Sequence, residues 1–170
     1  IPEKEGCLYC YLPANDARWG FRFLMNTDMI PNGPRNDIEY SLEVNKYFAR
    51  VAGEKFFTWI DSLISSNEYD YDSIFELIPD FEECIKHRNE KVVEFIREFQ
   101  AGFESKLQEL RIPSDSGELV VTKDVICDSD GIIKEFGGRF WKLLEMEGGI
   151  PHVSLQASNA FNRFVKQYKE

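Results

Sequence analysis

Basic residues, histidines, cysteines and long apolar runs are all scarce in this chain. Lys and Arg number 20 against 30 Asp and Glu over 170 residues, a formal charge of -10. Such an excess repels phosphate backbones, whose binding rests on clustered Lys and Arg, so no nucleic-acid partner is expected. No run of about 18 apolar residues occurs, so no membrane-spanning helix is expected either. The histidines, His87 and His152, stand beside no nucleophile signature, which removes the usual basis for a hydrolase triad. Cys7, Cys10, Cys84 and Cys127 are too few and too scattered for a disulfide scaffold, and they predict a reducing, cytoplasmic setting. Neither Gly-x-x-x-x-Gly-Lys-Ser/Thr nor Gly-x-Gly-x-x-Gly is present, so the chain has no familiar cradle for a triphosphate. Gly137-Gly138 and Gly148-Gly149 read as turns. The opening Ile1–Gly6 has no Met and neither region of a signal peptide, and reads as the start of a piece cut from something longer.

What is present argues for a folded core. Apolar residues make up 43% of the chain and Phe alone contributes 14, enough for one domain or two small subdomains. Residues 7–12 read as a short strand stopped by Pro13. The segment from Asn15 to Pro34 is dense in turn formers yet carries Trp19, Phe21, Phe23, Leu24, Met29 and Ile30. It predicts an irregular loop pinned to a neighbouring surface, with a short strand near Phe21–Asn26. From Ser41 the apolar period becomes helical through Phe48, Ala52, Phe56, Ile60 and Ile64, ended by Ser65, Ser66 and Asn67. A second long helix is predicted from Ile85 through Leu110, stopped by Pro113. A turn over 112–117, a strand over 118–122, a brief helix over 123–127 capped by Thr122, and a turn over 128–131 follow. A helix over 139–146 and a last one after Ser158 complete the reading. The fold class is therefore α+β, a small β-containing N-terminal part followed by a mainly helical body. The division is 1–40 for the strand and Arg-bearing loop and 41–170 for the body, or a single domain over 1–170.

Two clusters invite chemistry. Cys7, Cys10, Cys84 and His87 would make a sound zinc set. A strand over 7–12 would instead point Cys7 and Cys10 to opposite faces, and small core cysteines are the preferred reading. Glu68, Asp70, Asp72, Glu76, Asp80, Glu82 and Glu83 run without an intervening base. They lack the Gly of a calcium loop, and are read as a solvated connection between helices. Arg35 is different. It follows Asn32-Gly33-Pro34 in a stiff, apolar-anchored loop, from which a guanidinium can be aimed at a fixed anion with little entropy lost. The ordinary alternative is a structural arginine bonded to loop carbonyls, Asp28 or Asp37.

Leu12-Pro13, the run Phe23 to Pro31, and Arg35-Asn36-Asp37-Ile38 together resemble a pattern in sacsin-like proteins. These belong to the heat-shock protein 90-like branch of the GHKL ATPases. There the stretch follows the ATP-binding domain, and in the chaperones of that branch a middle-domain loop of the form Asn-x-Ser-Arg-Glu brings an arginine to the γ-phosphate. Asn32-Gly33-Pro34-Arg35 is similar in its Asn and Arg spacing, and Asn36 stands where the family has Glu. Leu110 to Pro113 with Gly117 to Val121 resembles an Ile-Pro … Gly-x-Trp/Leu-Val segment of sacsin-like repeats. The resemblance covers the first third of the chain best. It implies a segment downstream of the ATP site, since the Asn, Asp-x-Gly and Gly-rich lid motifs of that site are not among these residues. Arg35 would then act in catalysis, Asn32 and Arg35 would face the nucleotide, and ATP with Mg2+ would be bound mainly by the preceding domain. The implied partners are that domain and client proteins. The alternative function is a helical interaction module with no nucleotide role, and a third is a zinc-stabilised fold.

Overall fold

The apolar period that begins after Ser41 becomes one helix, α1 (Glu43–Ser66), ended by Asn67 in the left-handed region at φ 54, where Asn is tolerated better than most residues. The computed structural model describes residues 6–114, 117–128, 152–154 and 159–169. It is α+β, as expected: small strands near the N-terminus precede a helical body. Two compact units divide the chain at 60, 75 and 107, so that α1 contributes its 43–60 part to one and its 61–66 end to the other. No helix among the described residues is long and apolar enough to cross a membrane.

The first unit carries a three-stranded sheet in the order β2-β1-β3, with β1 Leu8–Cys10, β2 Leu12–Ala14 and β3 Met25–Asn26. The single strand predicted over 7–12 is instead a hairpin. Tyr11 bends the chain at φ 65, and β2 returns antiparallel with Tyr9 opposite Pro13. Pro13 does not stop the strand because β2 is an edge, where a missing N–H breaks no ladder bond. The long helix predicted from Ile85 is likewise interrupted. Ile85 ends a short helix α3 (Phe81–Ile85), His87 turns the chain at φ 61, and Asn89 caps α4 (Glu90–Glu104) by accepting from the Val92 N–H at 3.1 Å. The cap outweighs the continuing apolar period.

α1 and α4 cross at two reciprocal glycines. A Cβ on Gly53 would land on the Phe99 carbonyl, and one on Gly102 on the Arg50 carbonyl. Phe56, Phe81, Phe99 and Phe103 stack around this crossing with ring centroids 5.5–6.3 Å apart. Each such ring, fully buried, contributes about 2–3 kcal/mol of transfer free energy. Lys46 of α1 reaches Glu94 of α4 at 2.7 Å and Arg50 reaches Glu98 at 3.7 Å.

The second unit holds α2 (Tyr71–Phe75), the hairpin β4 (Arg111–Pro113) with β5 (Leu119–Val121), a parallel pair β6 (Ile126–Asp128) with β7 (His152–Ser154), and a helix Asn159–Lys169. Phe75 packs on Phe161 and Phe164 at 4.9 and 5.1 Å, and Arg111 grips the Asp61 carboxylate with both Nε and Nη2. The turn predicted over 112–117 begins later than expected, because Ile112 and Pro113 pair with Val120 and Leu119. The brief helix expected over 123–127 is a single tight turn, Thr122–Asp124, followed by β6, and Thr122 is not its cap. The helix expected over 139–146 and the Ser158 cap lie outside the described residues.

Within 68–83 the acids face water as expected, but the stretch is not a bare connection. It forms α2 and α3 and buries Ile74, Phe75, Ile78 and Phe81. Asp70 accepts from the Asp72 and Ser73 N–H groups, and Asp80 caps α3 through the Glu83 N–H at 3.1 Å.

Candidate functional site

The 31–38 loop is closed by an antiparallel bridge between Pro31 and Ile38, and inside it the Asn32 N–H donates to the Asp37 carbonyl at 2.9 Å. Asn32-Gly33-Pro34-Arg35 is a turn in which the Arg35 N–H donates to the Asn32 carbonyl at 3.0 Å. Arg35 itself sits at φ 63, a conformation costly for a residue with a Cβ and held only where the surroundings dictate it.

Those surroundings are well defined. The Asn32 side chain bonds twice across the loop, donating to Asn36 Oδ1 at 3.1 Å and accepting from the Asp37 N–H at 3.3 Å. Asn36 in turn donates to the Asp16 carboxylate, while the Asp16 N–H donates to the Asn36 carbonyl at 2.8 Å. At the base, Asn45 in the first turn of α1 is fully buried and staples both stems. It accepts from the Ile30 N–H at 2.8 Å and donates to the carbonyls of Ile30 and Glu39 at 2.8 and 2.9 Å. Met29 and Ile38, both buried, anchor the same stems in the core.

Asp37 is engaged elsewhere than with Arg35. Its Oδ1 accepts from the Tyr40 hydroxyl at 2.7 Å and from the Ile38 N–H at 2.8 Å, and the Tyr40 oxygen accepts from Trp19 Nε1 at 2.9 Å. Burial, and then the bond to Asp37, pushes the Tyr40 hydroxyl well above its ordinary range, so it stays a neutral donor. Arg35 is exposed, and its guanidinium makes no hydrogen bond or ion pair with any described residue, Asp28 and Asp37 included. The loop is thus a braced turn with one unneutralised cation at its outer end. Chemically it can offer a planar set of donors to an anion without reorganising.

The structure brings Asn32 and Arg35 into one turn, Asn32 as the brace and Arg35 at the surface. The bracing residues Asp16, Asn45 and Tyr40 were not singled out from the sequence. Asn45 carried a signal, an amide on the same helical stripe as Ala49, Gly53, Phe56 and Ile60. The other candidates scatter. Cys7 and Cys10 are free thiols at β1, Cys84 is a buried thiol in α3, and His87 lies in the turn after it. Among the described residues no three His, Cys, Asp or Glu side chains gather as metal ligands would. Burial and then Asp28 push the Cys10 thiol up from its ordinary value. His152 lies in β7. No protein-family model, curated protein or solved structure matches this chain.

Proposed function

We propose that the chain is a middle-domain-like segment of a heat-shock protein 90-like, sacsin-like ATPase of the chaperone type, and that its 31–38 loop presents Arg35 to a nucleotide. The single observation that supports this reading is an exposed, unneutralised guanidinium on a turn whose stems, flanks and base are all hydrogen-bonded. In the reading, ATP and Mg2+ are held by the preceding domain. Arg35 approaches the γ-phosphate and balances the charge that spreads over its oxygens in the transition state. Asn32 fixes the turn, so the guanidinium arrives in one orientation and loses little freedom on binding. The segment by itself would not hydrolyse ATP, and its helical body would transmit the nucleotide state or contact client proteins. The free thiols Cys7 and Cys10 support a reducing, cytoplasmic setting.

A module that captures partners through the acidic 68–83 stretch draws less support. Asp70 and Asp80 are engaged as helix caps, and Glu76 and Glu82 pair with Arg22 and Arg97 at 3.6 and 2.9 Å.

The test is ATP turnover by the longer protein that includes the preceding domain. Arg35→Ala should lower kcat by about 10²–10³-fold while leaving nucleotide affinity nearly unchanged, and Arg35→Lys should restore only part of it. Unchanged hydrolysis in a variant whose melting curve is intact sinks the role.

A further inference from the structure

β3 is an open edge of the three-stranded sheet. In its parallel register with β1, the Met25 N–H donates to the Cys7 carbonyl at 3.1 Å and the Thr27 N–H to the Tyr9 carbonyl at 2.9 Å. Ladder alternation then turns the main-chain groups of Leu24, Asn26 and Asp28 away from β1, toward the open side. All three residues are exposed.

Hollows lie on both faces of this edge. Tyr9 stands opposite Asn26 in the ladder and Leu8 opposite Met25, so the pairs occupy opposite faces of the sheet. One hollow, about 480 Å³, lies between β3 and α1, where Phe23 and Met25 face Val51, Lys55 and Trp59. The other, about 510 Å³, is lined by Tyr9, Tyr11 and Leu24. Both hollows include Leu24, Met25, Asn26 and Asp28, which makes β3 the wall between them.

We propose that this edge is a docking site for an extended, alternately apolar peptide segment of a partner protein, which adds as a further strand beside β3. Open N–H groups two residues apart match an extended backbone and not a helix. A strand so placed sends successive side chains to opposite faces, which is where the hollows lie. Charge complementarity sets its ends. Phe23 stacks on Phe56 at 4.6 Å while Ile30 bonds to Asn45, so β3 and α1 run antiparallel. Lys55, exposed and without an ion pair among the described residues, therefore lies toward the Phe23 end, and Asp28 toward the other. The segment carries an acid beside Lys55 and a base beside Asp28. None of this uses the 31–38 loop, and the site stands whether or not Arg35 meets a nucleotide.

The probe is a blocked, fluorescent peptide about seven residues long, alternating Val and Thr with Glu at one end and Lys at the other, a length set by ~3.3 Å of strand per residue. Anisotropy and Trp59 emission should report saturable binding. Asn26→Pro removes an outward N–H without touching the β1 ladder and should weaken binding by about tenfold or more. Lys55→Glu should weaken this peptide and favour the one with its end charges exchanged. On the ligand side, N-methylation of one alternating set of amides should abolish binding, and methylation of the other set should not. Absence of saturation, equal loss with both methylated isomers, or full affinity in a folded Asn26→Pro variant overturns the proposal. So does a self-associated form that Asn26→Pro converts to monomer, which would make the occupant a second copy of this chain.

Discussion

Arg35 holds a backbone conformation that glycine adopts freely and arginine does not. Replacing it with Gly should therefore leave stability unchanged or raise it by about 0.5–1 kcal/mol in urea denaturation, whereas Arg35→Ala should gain nothing. Asn45 is the reverse case. Asn45→Leu strips hydrogen bonds from the Ile30 N–H and from the Ile30 and Glu39 carbonyls. It should cost about 3 kcal/mol, with amide exchange rising over residues 30–39. Tyr40 adds a pH dependence of known sign. Its folded pKa lies above the ordinary 10.0, so its contribution is fully present below that value. As pH rises beyond it, the unfolded chain releases the proton first and stability falls. Tyr40→Phe should flatten the alkaline limb of a stability–pH profile while losing the bonds to Asp37 and Trp19.

Between elements, the strongest constraint is the crossing of α1 and α4. Gly53→Ala or Gly102→Ala drives a methyl into a backbone carbonyl, and each should cost about 3 kcal/mol or more, read as a lower Tm. Much of this element level was legible beforehand. α1 follows its apolar period, and the pinning of the aromatic-rich loop follows from Trp19, Phe21 and Met29, all buried. The misses have local physical causes. Ile85 fits the period of α4 but belongs to α3, because the Asn89 cap and the His87 turn decide where the helix starts. Tyr11 gives no composition signal for its turn, since Gly or Asn is the usual residue at positive φ. The braces of the Arg35 loop were hidden for another reason. Asp16 meets Asn36 and Ile30 meets Asn45 across 20 and 15 residues, beyond any periodicity window.

At the scale of the molecule, the charge of -10 works against compactness as well as against phosphate partners. Most acids of 68–83 are exposed to water, and the exposed pairs that offset them, such as Arg22 with Glu76, are each worth only about 0–1 kcal/mol. Raising salt from about 10 mM to about 0.5 M shortens the screening length from ~30 Å to a few Å, and should raise Tm by several degrees. The fall expected if surface ion pairs dominated would have the opposite sign. The glycine crossing limits what such a molecule can do when it binds. For α1 to slide one turn along α4, a side-chain-bearing position would have to pass the carbonyls of Arg50 and Phe99, which admit only hydrogen. The joint behaves as a keyed shaft. In the first unit α1 and α4 keep their register, and rearrangement there falls to the parts the crossing does not key, such as the Tyr11 hairpin and the free edge of β3.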